Sequence, residues 1–182
     1  MAKLQVVAAI LLFSAQLVAA DEEPEFKMHF MGLDKLDGSE KYLDYNYTGE
    51  KLSDMSFKMS GHARLLVDMD DSYTVNMRLS AAEVGEDVSK SEDLLNIQKT
   101  FCEYMRTTYK SYFYDVVKDV SNFPHYDKCP LPAADYWIKD FEFDGEEYKP
   151  FLREGAFWSE FTLTKDGKPV AGLTSRWEIR AD

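Results

Sequence analysis

The chain has 182 residues, of which 33 are acidic and 21 basic, so its formal net charge at pH 7 is −12. Nucleic acids and anionic membrane surfaces carry negative charge and would repel such a chain, which argues against both as partners. A cationic or neutral partner fits this charge, and the length fits one domain.

The first 20 residues have the pattern of a signal peptide. Lys3 supplies a positive charge, residues 6–12 form a short apolar run, and residues 18–20 offer the small side chains that a signal peptidase needs. The apolar run is too short to cross a bilayer, and no later segment approaches a membrane-spanning length. We therefore predict an extracellular, secreted protein without stable membrane insertion, whose mature chain is a single domain of residues 21–182.

Two cysteines, Cys102 and Cys129, lie in the second half of the chain. An exported chain with two cysteines is expected to join them, so we predict a structural disulfide between these residues. Their spacing is not Cys-x-x-Cys, which argues against a redox role. Asn46 begins an Asn-Tyr-Thr sequon and is predicted to be a solvent-facing glycosylation site, with its occupancy left open.

Alternation of apolar and polar residues dominates the first half of the chain. Residues 55–67 and 73–81 both alternate with the period of a strand that is wet on one face. Residues 68–72 between them include three aspartates and predict a turn, and hence a hairpin. Residues 43–48 and 26–30 indicate two earlier strands.

The second half repeats this pattern around one interruption. From about residue 100 the apolar positions are three or four apart, without glycine or proline until Pro124, which predicts an amphipathic helix. Its apolar stripe comprises Phe101, Met105, Tyr109, Tyr112, Val116 and Val120. Pro130 and Pro132 then interrupt regular structure. We predict later strands at residues 136–143, 157–164 and 170–180, with a tight turn at residues 165–168 joining the last two.

Five short segments of this half carry a resemblance. They are residues 101–105, 121–125, 129–130, 136–141 and 151–155. Their order and spacing, over roughly residues 94–165, resemble a family of small secreted insect proteins that has been labelled a domain of unknown function and includes relatives of the chemosensory B proteins.

That family is similar to the ganglioside activator and myeloid-differentiation group of lipid-recognition proteins. The resemblance implies a mainly β fold, an antiparallel β-cup or sandwich of about seven to eight strands with one helix, which holds acyl chains between its sheets without chemistry or a cofactor. Ala133-Ala134-Asp135 stands where that family usually has a glycine, and the chain has two cysteines where the ganglioside activator has several. The identity of the ligand is therefore left open between a lipid and a hydrocarbon-like semiochemical. An extracellular receptor is a further candidate partner.

The alternation also indicates which apolar side chains face inward. Methionine and large aromatic side chains suit an adaptable apolar cavity, although similar stripes fill solid cores and composition does not separate the two. The predicted ligand-binding residues are Phe57, Met59, Met77, Leu79, Trp137, Phe141, Phe161 and Trp177.

The chain contains no recognisable catalytic motif. His29, His62 and His125 are far apart in sequence, and the nucleophile-elbow, zinc-helix and glycine-rich phosphate-loop patterns are missing. The aspartates of residues 68–71 lack the spacing of a calcium loop and predict a solvated turn, with no metal. We predict a non-enzymatic binder or carrier of a small hydrophobic ligand. The alternative is an extracellular protein–protein interaction module with a solid core, using its acidic surface or an exposed Trp158, and a secreted hydrolase is a distant third.

Overall fold

The computed structural model describes residues 25–146, 149 and 153–181, so the predicted signal peptide lies outside the described residues. The described residues form eight strands, one long helical segment and two short 3-10 helices (Ser39–Lys41 and Val88–Lys90), which confirms the predicted mainly β fold class. The strands are β1 (Phe26–Lys35), β2 (Leu43–Lys51), β3 (Ser56–Leu65), β4 (Tyr73–Ala82), β5 (Glu92–Thr100), β6 (Asp135–Asp144), β7 (Gly155–Lys165) and β8 (Lys168–Ala181).

The strands are arranged in two antiparallel sheets. One sheet has five strands in the order β1-β8-β7-β4-β5, and the other has three in the order β2-β3-β6. Side chains of both sheets meet in one core, which Leu65 and Tyr136 enter from the three-stranded sheet and Val75 and Leu163 from the five-stranded sheet. The inner face of each sheet is therefore the apolar face that the alternation predicts.

The helical segment α1 covers residues 101–117 and closes one end of the sandwich. It is α-helical over Phe101–Tyr104, a π-helix over Met105–Phe113 and α-helical again over Tyr114–Val117. The predicted apolar stripe included Tyr112 and Val116, but these side chains are exposed. A π-helix has more residues per turn than an α-helix, so a stripe spaced for an α-helix turns away from the core within it.

The predicted disulfide between Cys102 and Cys129 is confirmed, with the two Cα atoms 5.6 Å apart. It ties the start of α1 to the segment that precedes β6. A second contact holds the same end of the helix, because Asp71 Oδ1 accepts a hydrogen bond of 3.0 Å from the backbone N–H of Cys102. A carboxylate at this position also complements the positive end of the helix dipole.

The predicted hairpin between β3 and β4 is wrong, because the two strands lie in different sheets. β3 pairs with β2 and β6, whereas β4 pairs with β5 and β7. Their connection crosses from one sheet to the other, and on the way Met69 exchanges backbone hydrogen bonds of 2.8 and 2.9 Å with Leu131. Asp68 Oδ1 accepts from the backbone N–H of Ala133 at 2.7 Å. Alternation indicates a strand but not its partner.

The sequence prediction also missed β5, an edge strand of the five-stranded sheet. Leu95 and Ile97 lie opposite Leu79 and Met77 of β4, but the pairing register shifts just before Leu95. Leu94 is the extra residue of this β-bulge, so the apolar residues Leu94 and Leu95 follow each other and the alternation of a regular strand is broken.

Among the described residues, no helix combines the length and apolarity that a bilayer crossing requires.

Candidate functional site

The space between the sheets is filled very differently at its two ends. At the end closed by α1, Met69, Val75, Met105, Leu131 and Leu163 are all almost fully buried in one cluster. We call this the helix end. The opposite end, which we call the open end, has a much smaller buried cluster of Phe26, Met55 and Ile179. Apolar side chains on the inner faces beside that cluster remain only half-buried.

A cavity of about 620 Å³ lies at the open end, between β1 and β8 of one sheet and β2 and β3 of the other. This volume is within the range of small-molecule sites, which are about 300–1,000 Å³. The lining residues are Met28, His29, Phe30, Met31, Tyr47, Gly49, Glu50, Lys51, Ser53, Asp54, Ser56, Phe57, Met59 and Trp177.

Aromatic side chains from both sheets form one wall of the cavity. The Trp177 ring is centred 4.8 Å from that of Phe30 and 5.0 Å from that of Phe57. Phe57 in turn stacks on Phe143 at 5.1 Å, and Phe30 meets Tyr47 edge-on at 6.0 Å. With the methionines of the lining, these rings give a surface that dispersion contacts suit and that flexible thioethers can adapt to a ligand.

The mouth of the cavity exposes apolar side chains to solvent. Phe30 is 44% exposed and Met31 is 52% exposed. The pairing register of β1 with β8 shifts between Phe30 and Gly32, so Met31 is the additional residue of a β-bulge. The bulge lets consecutive residues of β1 both border the cavity.

One end of the cavity is polar and is formed by the turn between β2 and β3. Lys51 Nζ lies 2.5 Å from Asp54 Oδ1, and the Asp54 carbonyl accepts from the backbone N–H of Met28 at 2.8 Å. The hydrogen bond from Lys51 lowers the pKa of Asp54, and the positive charge of Lys27 lowers it further. Asp54 is therefore a carboxylate at neutral pH, and the turn is fixed to β1.

The predicted ligand-binding residues are divided among several places. Phe57, Met59 and Trp177 line the cavity, and Phe141 lies directly across from Met59 on the neighbouring strand. Met77 and Phe161 lie opposite each other and pack against the helix-end cluster instead. Leu79 lies opposite Ser159 on β7 and is not part of the lining of this cavity.

The prediction that Trp137 faces inward is wrong. Trp137 is 39% exposed, lies opposite the exposed His62, and has the Lys139 ammonium 4.9 Å from its ring centre. The cause is a β-bulge in β6, where Lys139 and Asp140 face the single residue Ser60 of β3, and where Asp140 has a φ of 50°. This extra residue places Trp137 and Phe141 on opposite faces of the sheet, although they are four positions apart.

Trp158 was predicted to be exposed in the alternative of a protein–protein interaction module. Its side chain is 9% exposed, so the prediction of an exposed Trp158 is wrong. Trp158 lies opposite Arg176, on the face away from Phe157 and Trp177, and it borders a second cavity of about 550 Å³ together with residues 85–88. The segment that follows β4 therefore lies against the outer face of the five-stranded sheet.

The remaining predicted sites are spread over the surface. Asn46 is exposed on β2, an edge strand of the three-stranded sheet, and its glycosylation stays a prediction. His29 borders the cavity, His62 is exposed on β3, and His125 Nδ1 lies 2.6 Å from Asp127 Oδ1. The three histidines are thus brought into separate parts of the structure.

Several residues that line the cavity were not among the predicted ligand-binding residues, although the alternation placed them on predicted strands. Met28 and Phe30 on β1, and Tyr47 on β2, belong to alternating runs that predicted these strands. What the sequence lacked was the pairing of β1 with β8, which brings Phe30 opposite Trp177. Edge strands from two different sheets meet at the cavity, and alternation within one strand does not report such contacts.

Comparison with protein families supports part of the resemblance found in the sequence. Residues 75–158 match a family described as a protein of unknown function (DUF1091). The matched stretch runs from β4 into β7, includes α1 and both cysteines, and covers all five segments that carried the resemblance. The predicted likeness to an uncharacterised domain family is therefore confirmed over this stretch. A comparison with curated proteins finds no match for this chain.

The family match and the cavity occupy different parts of the chain. The lining residues fall within residues 28–59 and at Trp177, all outside the matched stretch of residues 75–158. The matched stretch contains α1, the disulfide and part of the helix end, including Val75, Met105 and Leu131 but not Met69 or Leu163. The match therefore describes the scaffold of this protein and not the lining of its cavity.

Proposed function

We propose that this protein is a secreted, non-enzymatic carrier of a small hydrophobic ligand. The observation that carries the proposal is the cavity of about 620 Å³ between the two sheets, with its wall of Phe30, Phe57 and Trp177. Transfer of an apolar molecule from water into this space is favourable by roughly 25 cal/mol for each Å² of apolar surface buried.

The way the open end is built supports carriage rather than simple incomplete packing. Protein cores are packed at crystal-like density, and large side chains in them are fully buried. Phe57, Met59 and Trp177 are instead half-buried beside a space large enough for a ligand. A bound apolar molecule would complete their burial.

The sequence supports the extracellular part of the proposal. The pattern of residues 1–20 predicts export, and the disulfide between Cys102 and Cys129 is of the kind that persists in oxidising compartments. The resemblance to relatives of the chemosensory B proteins supports a finer form, in which the ligand is a lipid or a hydrocarbon-like semiochemical and an extracellular receptor is a further partner.

The test is a titration with an uncharged N-phenylnaphthylamine probe, followed by displacement with long-chain lipids, on protein stripped of bound lipid. The parent should bind the probe saturably at one site. Trp177→Leu removes part of the cavity wall and should weaken probe binding at least about fivefold.

Trp137→Leu is the matched control, since it removes the same atoms from a ring outside the cavity. It should leave probe binding unchanged. Far-UV circular dichroism and a melting curve on each variant separate loss of binding from loss of folding. Equal weakening in both variants, or no saturable binding by the folded parent, would reject the proposal.

A further inference from the structure

The polar end of the cavity contains hydrogen-bond donors that the fold itself does not use. The lining divides by position, because the strand residues Met28, Phe57 and Met59 are apolar while residues 50–56 of the turn are mostly polar. A purely apolar ligand would leave these polar groups facing it. The division suits a molecule with an apolar chain and a polar head.

Ser53 and Ser56 provide the first unused donor. Ser53 Oγ accepts the backbone N–H of Met55 at 3.1 Å and that of Ser56 at 3.0 Å. These two bonds occupy both lone pairs of that oxygen, so the Ser53 hydroxyl must donate to Ser56 Oγ, 2.8 Å away. The hydrogen of the Ser56 hydroxyl is then left without an acceptor within the described part of the chain, and Ser56 lines the cavity.

Lys51 provides the second. Its ammonium group has three N–H donors, and one of them is directed at Asp54 Oδ1, 2.5 Å away. Among the described residues the two others have no acceptor, and Lys51 lies in the cavity lining across the turn from Ser56. The side chain of Lys51 is 54% exposed, so an arriving ligand can reach it without rearrangement of the turn.

The free donors of the turn favour an anionic head over a cationic one. The chain as a whole has a formal charge of −12, but at this turn the carboxylate of Asp54 is already paired with Lys51 and lies close to Lys27. An ammonium head could pair with Glu50, the other carboxylate of the lining, but it would meet the like charge of Lys51 and could not accept from Lys51 or from the Ser56 hydroxyl. A carboxylate accepts from both.

We propose, building on the proposed function, that the ligand is a single-chain amphiphile with a carboxylate-type head, whose head is bound by Lys51 and Ser56 while its chain lies along Met59, Phe57 and Trp177. The size of the cavity fits one chain of this kind within the range of small-molecule sites.

The experiment compares four ligands of equal chain length as displacers of the N-phenylnaphthylamine probe at pH 7.5: palmitic acid, its methyl ester, hexadecanol and hexadecane. The acid should bind about fivefold more tightly than the ester, since a charge-assisted hydrogen bond at a half-exposed lysine is screened by water. Lys51→Gln should reduce this preference to about one, with unchanged binding of hexadecane.

Lys118→Gln is the matched control. Lys118 forms an ion pair of 2.6 Å with Asp115 at the same sequence spacing as Lys51 and Asp54, but it follows the last residue of α1 and lies away from the cavity. It should keep the fivefold preference. Ser56→Ala should lower the affinity for the acid and not for hexadecane, which gives a second readout if Lys51→Gln alters the turn.

Two results would overturn the inference, and they differ from failure of the proposed function. If acid, ester and hydrocarbon bind equally, the protein is a carrier without head-group recognition. If Lys51→Gln and Lys118→Gln have the same effect on the preference, the recognition is not at this turn. If none of the four ligands displaces the probe, the proposed function fails together with the inference.

Discussion

The two ends of the sandwich are built from the same alternating strands, yet one is packed and the other is hollow. At the helix end, α1 places Met105 and Tyr109 against Val75 and Leu163, and these side chains are almost fully buried. At the open end the described residues include no helix of the length of α1, and Trp177 is only half-buried beside the cavity. Inward-facing apolar residues therefore form a packed core only where another element supplies the atoms that fill the space.

Stability should therefore reside at the helix end and ligand binding at the open end. Substitutions at the helix end are expected to lower the free energy of unfolding. Substitutions in the cavity wall are expected to change ligand affinity with a smaller effect on unfolding.

The largest effect is expected from breaking the disulfide. Cys102→Ser removes a link between residues 27 positions apart, which is worth about 3–4 kcal/mol of unfolding free energy on the chain-entropy view. The thermal midpoint should fall by roughly 10 °C. Probe binding at temperatures well below the midpoint should persist, because the bridge lies at the helix end.

The double variant Cys102→Ser/Cys129→Ser is the control for the free thiol left by the single change. It should melt close to the single variant. Equal midpoints for the parent with and without reductant would contradict a stabilising role of the bridge.

A matched pair of methionine truncations compares the two ends directly. Met105→Ala removes a side chain that is 1% exposed and should cost about 3 kcal/mol, from lost burial and the remaining cavity. Met59→Ala removes a half-buried side chain that already borders a cavity and should cost less than about 1 kcal/mol. Urea unfolding of both variants gives the two values, and equal losses would mean that the open end is packed like the helix end.

Substitutions that enlarge a side chain also compare the two ends of the sandwich. Val75→Phe adds volume to a fully buried position and should cost roughly 1–3 kcal/mol through strain. Met59→Trp adds volume beside the cavity and should cost less than about 1 kcal/mol, while it weakens probe binding. Melting curves and probe titrations on both variants provide the check, and a Met59→Trp variant that is strongly destabilised without loss of binding would contradict a hollow open end.

The smallest expected effect is a loss of unfolding free energy at alkaline pH, and it comes from two tyrosines of the helix end. Burial raises the pKa of both Tyr104 and Tyr109 to about 12, with a further contribution from a neighbouring tyrosine in each case. Because the folded pKa lies above the unfolded value of 10, their contribution to stability is complete below pH 10. It is lost as the pH rises towards 12.

Urea unfolding at pH 8 and pH 11 measures this loss. Tyr104→Phe and Tyr109→Phe should each reduce the fall in stability between these values. Tyr112→Phe is a suitable control, since Tyr112 is 68% exposed on the same segment. A parent protein whose stability is the same at both pH values would contradict the burial of these hydroxyl groups.

The sequence predicted seven of the eight described strands, because each of the seven has the apolar–polar alternation of a sheet with one solvent-exposed face. It predicted the disulfide because an exported chain with two cysteines has one pairing to form. It failed where a single extra residue changes the phase of the alternation. The β-bulge in β6 turned Trp137 outward, the bulge in β5 hid that strand, and the π-helical turns rotated Tyr112 and Val116 to the surface.

The candidate site was less predictable than the fold, for a different physical reason. Phe57, Met59 and Trp177 were found because they lie on the inner faces of regular strands. Which of the inward residues border a cavity depends on how the sheets pair and on where α1 lies, and these are contacts between distant parts of the chain. The assignment of β3 and β4 to different sheets is such a contact, and local pattern does not encode it.

Native mass spectrometry of the full chain, secreted from a eukaryotic host, tests directly whether the open end carries a ligand. Spectra are recorded before and after extraction of lipid. Ligand carriage predicts one apolar molecule per chain on the parent, its removal by extraction, and its return when a long-chain lipid is added. Met59→Trp, with the cavity partly filled, should carry less. A folded parent that shows only the bare mass in all three states, and takes up no added lipid, would contradict the claim that the open end is a ligand-binding cavity.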